Sequence, residues 1–450
     1  MHLNIGVIGS GMAGLVVGHL FHSAGHQVTI FESATARGMD AHTISVATET
    51  GQGLVDAPLR VMSGTGWRSV LALCQELGVS TFPVDTPVSL SWMDQTTWLR
   101  TGTWHLGSYS IPTLGALRYL HGDTLRIIRD LARLRSDLAL AITPNQDATR
   151  LPQFSEEQAS NSSRETIEEF FIRRKYAPIF WRGFLLPLLG TITTCRMEHL
   201  LRYPARDLLL IVRDIIFGKP LRRIKGGTTA LAQQLGKNLT FISGASVTKV
   251  TEEAGPNQKS KVVVTNSRGE SYSCDRLIVA TQANSLNFLG DLCATERTLL
   301  RSIEYDHGEL FTHTDPALMP RRREDWTPLN YLMDTRLQQN MFTVWVNPVE
   351  PTIAQSQPVF QSWNPIVPLR PECILSRVPL QRAVQSAKTA ETLAKLSQFQ
   401  SDPDRRIYFC GSWAAPGVPL LESAVRSAIN IAQQFSIEIP WDPVAPSLAS

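Results

Sequence analysis

Ile5-Gly6-Val7-Ile8-Gly9-Ser10-Gly11-Met12-Ala13-Gly14 stands near the start of the chain and decides its fold. Ile5 to Ile8 is a short apolar run suited to a buried parallel strand. A glycine turn follows, Leu15 to Ala24 reads as a helix, and Gly25 closes it. Val28-Thr29-Ile30-Phe31 is a second β-rich run, and it ends in Glu32. Strand, glycine turn, helix, strand and acid in this order form a dinucleotide-binding unit. Gly9 permits the tight turn, Gly11 lets the backbone approach a pyrophosphate, and Gly14 lets helix and strand pack closely. The helix N-terminus offers free N–H groups and partial positive charge to phosphates. Glu32 can accept from ribose hydroxyls and would repel a 2′-phosphate. The unit leaves NAD and FAD both open.

The far end of the chain narrows the choice. Ile407-Tyr408-Phe409-Cys410 is an apolar strand, Gly411-Ser412-Trp413 breaks it, and Glu422 to Ala428 opens another helix. This second strand–turn–helix would bring another helix N-terminus beside the cofactor, which a two-domain NAD dehydrogenase does not need.

Together the two ends resemble the flavin-containing amine oxidase superfamily, which includes protoporphyrinogen oxidases and phytoene desaturases. The middle is similar to one branch, of predicted FAD-binding, amine-oxidase-like proteins. The segments that carry this likeness are Val55-Asp56-Ala57-Pro58-Leu59-Arg60, Leu77-Gly78-Val79, Lys225-Gly226-Gly227, His313-Thr314-Asp315, Asn330-Tyr331 and Asn364-Pro365. Two positions depart from the pattern. Met39 stands where the family has the second glycine of a pair, and Leu421 replaces a histidine common in the branch.

The resemblance implies an α/β fold with a discontinuous Rossmann-type FAD-binding domain and an inserted sheet-plus-helix substrate domain. The FAD-binding pieces would be residues 1–70, 225–290 and 400–438. The substrate pieces would be 71–224 and 291–399, and 439–450 would be a flexible tail. FAD contacts are implied at Gly9, Ser10, Gly11, Met12, Ala13, Gly14, Glu32, Ser33, Arg37, Arg60, Val247, Gly411, Ser412, Leu421 and Glu422. Val247 matches the position whose backbone meets adenine. Leu277 to Thr281 resembles the family's apolar strand under the cofactor.

Elsewhere the residues speak for themselves. Phe241 to Val250 and Lys261 to Val264 read as strands, and Ala230 to Leu235 as a short helix. In Arg206 to Gly218, Leu208, Ile211, Val212, Ile215 and Ile216 share one face, and Arg206, Asp207, Arg213 and Asp214 the other. The apolar Phe180 to Leu189 stretch suits core packing, a tunnel lid or a dip into a membrane surface. Ser155 to Arg164 reads as an exposed loop.

Candidate chemistry is sparse, because hydride transfer to a flavin needs no side chain to break the C–H bond. His42 could orient or bond to the ring, or be structural. Arg60 could meet the flavin N1–O2 edge, bind a substrate carboxylate, or form a plain salt bridge. His313 could face the substrate cavity, and Tyr331, with Tyr305, Trp345 and Trp363, could wall it. His313-Thr314-Asp315 with His307 fits no metal-ligand spacing, so no metal is expected.

The chain has 450 residues, roughly three domain-sized units, with net charge +3 and 43% apolar residues. This composition excludes disorder, collagen and coiled coil, and the weak charge gives no nucleic-acid footprint. Six scattered cysteines, no signal peptide and no ~20-residue apolar run suggest a cytoplasmic protein. The expectation is an FAD-dependent dehydrogenase, desaturase or oxidase acting on a hydrophobic small molecule, with O2 one candidate electron acceptor. An amine (C–N) oxidase and a redox-neutral isomerase or cyclase are the alternatives.

Overall fold

The computed structural model describes residues 2–36, 38, 43–48, 51–106, 109–141, 165–254, 260–354 and 357–441. Among the sequence expectations, Arg37, Met39, His42, the 155–164 loop and all but the first residues of the tail lie outside this set.

The opening motif folds as read. Asn4–Ile8 is the central strand of a five-stranded, wholly parallel sheet. Its spatial order is Thr240–Ser243, Gln27–Glu32, Asn4–Ile8, Arg276–Val279, Ile407–Phe409. Side chains alternate across the sheet with period two. Ile5 and Val7 face helices Met12–Ser23, Gly227–Gly236 and Leu421–Gln434. Ile8, Leu277 and Val279 face the other way, into a core with Val250, Val262 and Val264. Those valines belong to the antiparallel sheet Val247–Ala254, Ser260–Asn266, Ser271–Cys274. The unit is thus three layers, helices on parallel sheet on meander. Each fully buried Val, Leu or Ile contributes roughly 1.5–3 kcal/mol.

Local chemistry sets the ends of the first helix. His26 N–H donates to Phe21 O and Gly25 N–H to His22 O, and Gly25 takes a positive φ that suits glycine there. The Phe241 to Val250 run is two strands rather than one. Gly244, at φ +70°, turns the chain from the parallel sheet into the meander.

A second, eight-stranded sheet runs in the order Ile374–Ala383, Tyr305–His313, Phe360–Trp363, Asn340–Trp345, Leu329–Met333, Val88–Trp92, Thr97–Leu106, Tyr109–Leu114. All its pairs are antiparallel except Leu329–Met333 with Val88–Trp92. The 71–224 stretch supplies three of these strands. Helices from the same stretch cover the sheet, including Gly122–Ala141, Leu186–Thr193 and Ala205–Ile216. Phe180, Trp181, Phe184, Leu185, Leu186 and Leu189 are buried in the shared core, the bland reading of that stretch. No helix among the described residues is long and apolar enough to cross a membrane.

Candidate functional site

The carboxyl ends of the parallel strands bring together Gly9–Gly14, Glu32, Ala280–Thr281 and Gly411–Ser412, the edge where open α/β sheets bind ligands. Gly9 has φ +102°, and a Cβ there would stand 2.9 Å from Ala280 O. A Cβ on Gly14 would stand 2.0 Å from Gly9 O. A Cβ on Gly11 would meet nothing within 4 Å. Gly11 is the N-cap of the Met12–Ser23 helix, which has no side-chain cap and no acid in its first turn. The helix start has no side-chain cap and the space beside Gly11 is open, the arrangement that receives a phosphate.

Glu32 binds this turn to the next loop. Its Oε2 accepts from Ser10 N–H (2.9 Å) and Ser10 O–H (2.6 Å). Its Oε1 accepts from Ala34 N–H (2.9 Å) and the exposed Ser33 O–H (3.2 Å). Ser10 Oγ accepts in turn from Gly38 N–H. A carboxylate has about four acceptor positions, so an incoming hydroxyl would replace the long Ser33 bond. Val247 begins the meander two residues after Ala245, whose N–H donates to Glu32 O. The glycine turn, the uncapped helix start and the acid beside it fit a dinucleotide.

Two further expected contacts have other duties in the structure. Glu422 has its carboxylate on the Ser69 and Val70 N–H groups, both at 3.0 Å, capping the helix Arg68–Glu76. Burial raises its pKa despite these bonds. Leu421 is buried among the helices behind the sheet. Gly411 N–H donates to Ser427 Oγ, and Trp413 Nε1–H to Thr281 O, fixing the C-terminal turn.

Asp56 and Arg60 follow the hairpin Ile44–Thr48/Gly51–Val55, which the sequence did not reveal. Asp56 accepts from Thr228 N–H (3.1 Å) and O–H (2.8 Å), holding the start of Gly227–Gly236. The Arg60 carbonyl accepts from Arg223, whose other arm pairs with buried Glu350 at 2.7 Å. The Arg60 guanidinium forms no salt bridge among the described residues, and its Nε is buried without a partner.

His313 does not border a cavity. It is fully buried, tilted against Phe360, with Nε2 2.9 Å from Ser362 Oγ. Tyr331 is also core, its hydroxyl 2.8 Å from Thr191 Oγ1. Burial pushes the His313 pKa down to about 4. A histidine neutral when folded, but of ordinary pKa near 6.5 when unfolded, stabilises the protein above pH 6.5. That contribution is lost as pH falls from 6.5 to 4. Between pH 7 and 4, wild type should lose about 3 kcal/mol more than His313→Gln, read from urea midpoints.

Two residues escaped the sequence reading. Asp207 was read on the helix face opposite the apolar one, yet burial pushes its pKa up to about 6. Arg382 lies on Ile374–Ala383, where inward residues alternate with exposed ones, and it shares the inward face with Val378 and Leu380. Its Nε donates to Thr194 Oγ1.

A family model described as flavin containing amine oxidoreductase matches residues 12–328. No curated protein matches the sequence. Among solved structures, wild-type putrescine oxidase bound to putrescine is similar over 97% of this chain and 100% of its own, with TM-score 0.62 and 12% identity. Cyclohexylamine oxidase from Brevibacterium oxydans gives the same coverage, TM-score and identity. An oxidoreductase from Methanosarcina mazei covers 96% and 100%, with TM-score 0.61 and 12% identity.

Proposed function

The chain belongs to the flavin-containing amine oxidoreductase family, and on that premise we propose that it binds FAD and oxidises a small organic molecule by hydride removal. The observation that carries the cofactor reading is the uncapped helix start at Gly11, open to a diphosphate, with Glu32 beside it. In this proposal residues 1–70, 225–290 and 400–438 hold the cofactor, and 71–224 and 291–399 shape the substrate space. Bound FAD supplies a two-electron acceptor for the substrate C–H bond.

The chain's own groups hold and orient. Gly9–Gly14 and the first turn of Met12–Ser23 receive the diphosphate. Glu32 accepts from ribose hydroxyls, with Ser33 giving way, and the Val247 backbone lies toward adenine. Gly411 and Ser412 bring the C-terminal turn to the same edge, with Leu421 and Glu422 supporting it from behind. Aromatic and aliphatic residues of the large sheet and its covering helices exclude water and favour an apolar substrate body.

Two substrate classes share this machinery: C–C dehydrogenation of a lipid-like molecule, and C–N oxidation. The second is favoured by the family description and by the amine oxidases among the similar structures.

The test is a visible spectrum of the purified protein, repeated on the supernatant after acid precipitation. Released flavin bands running as FAD are the expected result. A colourless protein that cannot be loaded with FAD would sink the reading. Anaerobic bleaching by candidate substrates then identifies the class, and ammonia release on turnover distinguishes C–N oxidation.

A further inference from the structure

The helix Gly122–Ala141 and the short turn Leu117–Tyr119 before it hold large apolar side chains out in water. Leu117 is 86% exposed, and Leu120, Leu125 and Ile128 are each more than half exposed. Single exposed leucines are ordinary, but a cluster this close in the chain marks a contact surface. These are not frayed ends. Tyr119 is buried and donates its hydroxyl to Asp325, Arg118 pairs with Asp325 at 2.7 Å, and Thr124 Oγ1 donates to Tyr119 O at 2.6 Å. Along the helix, Ile127, Leu134 and Leu138 are buried in the core of the large sheet, which fixes the face that looks out.

That outward face is patterned. Leu125, Ile128 and Ala132 are exposed at helical spacing and form one stripe. Arg126, Arg129 and Arg133, also exposed, form the adjacent row, and exposed Arg135 prolongs the row of Ile128. The acids point the other way. Asp130 is fully buried and accepts from Arg129, Arg133 and Ala177 N–H. Asp137 accepts from Arg174 and Tyr176, and half-buried Asp123 from Arg126. From 117 to 136 every exposed charged residue is therefore an arginine. The acid that reaches this surface from another element is Glu324, 2.9 Å from Arg118.

An apolar stripe edged by cations is complemented by matter with an apolar interior and a negative skin. Arginine stems lie along apolar surface while their guanidiniums grip phosphate. A second copy docked face to face would set these arginines against their own symmetry mates. We propose that this face seats the protein on an anionic lipid bilayer, with Leu117, Leu120, Leu125 and Ile128 at the acyl boundary and the arginines among lipid phosphates. The helix lies in the interface and does not span it. The Phe180 to Leu189 stretch, which the sequence offered for such a contact, lies in the core that this helix covers. The proposal stands apart from the flavin reading.

The experiment floats the purified full chain with vesicles of phosphatidylcholine alone, and with vesicles in which about a third of the lipid is phosphatidylglycerol. The anionic vesicles should bind roughly tenfold tighter, and high salt should weaken that binding. Leu125→Gln with Ile128→Gln should lower it about tenfold while the thermal midpoint stays at or above that of wild type, because both side chains leave water only on docking. Arg126→Gln with Arg135→Gln should narrow the preference for anionic lipid.

Failure to float with anionic vesicles overturns the proposal, as does binding that survives loss of Leu125 and Ile128. Equal binding to polyglutamate shows a patch for acidic chains and overturns it too. If the wild type sediments as a dimer and the Leu125→Gln/Ile128→Gln variant as a monomer, the face joins two copies and the membrane seat falls.

Discussion

Gly14→Ala is expected to give a protein that holds no flavin and folds poorly. The added methyl would sit 2.0 Å from Gly9 O and 3.2 Å from the Ala280 side chain. The oxygen belongs to backbone at the end of the central strand, so no rotamer change relieves the contact. The Met12–Ser23 helix would have to lift from a sheet against which Val16, Val17 and Leu20 are buried. Overpacking of ordinary core sites costs about 1–3 kcal/mol, and a backbone clash lies at or beyond the upper end. Gly11→Ala is the control, because its methyl meets no protein atom within 4 Å. That variant should melt like wild type yet bind FAD more weakly, since the methyl occupies the side from which the diphosphate approaches. Thermal melts and flavin-to-protein ratios separate the two. Normal flavin content in Gly14→Ala would refute the packing argument, and normal affinity in Gly11→Ala would refute the site.

Arg223→Met should destabilise the protein by about 3–5 kcal/mol. Arg223 is 1% exposed and Glu350 7%, so removing the guanidinium leaves a carboxylate buried without its cation. It also frees the Arg60 carbonyl that Arg223 holds. Replacing both partners, Arg223→Met with Glu350→Met, should recover much of the loss, because the stranded charge is gone. Denaturant midpoints of the two single variants and the double variant test this. A double variant as unstable as the sum of the singles would show that the two residues act independently.

The first forty residues were legible because their meaning is local. Strand, turn, helix and acid are written within one stretch, and Gly9, Gly14 and Glu32 sit where that pattern puts them. The alternation of Ile5 and Val7 against Ile8 needed no distant partner to be read. What stayed hidden was whatever depends on remote partners. Nothing near Glu422 in sequence announces that its carboxylate accepts from the Ser69 and Val70 N–H groups. His313 looks available until Ser362 and Phe360 enclose it. Arg382 was silent because an arginine in an edge strand normally faces water, as Arg377 does with Glu309. The burial of Asp207 was hidden for the converse reason: its helix is covered on more than the apolar face.

The parallel sheet takes its centre from Asn4–Ile8 and its far edge from Ile407–Phe409. On a ribosome adding roughly 5–20 residues per second, tens of seconds separate the emergence of these strands. Throughout that interval the parallel-sheet unit exists as an unfinished surface with its apolar strands unsealed. The protein is therefore one that nascent-chain chaperones should hold in vivo, and one for which synthesis speed and co-translational flavin supply should govern yield more than the equilibrium stability of the finished fold.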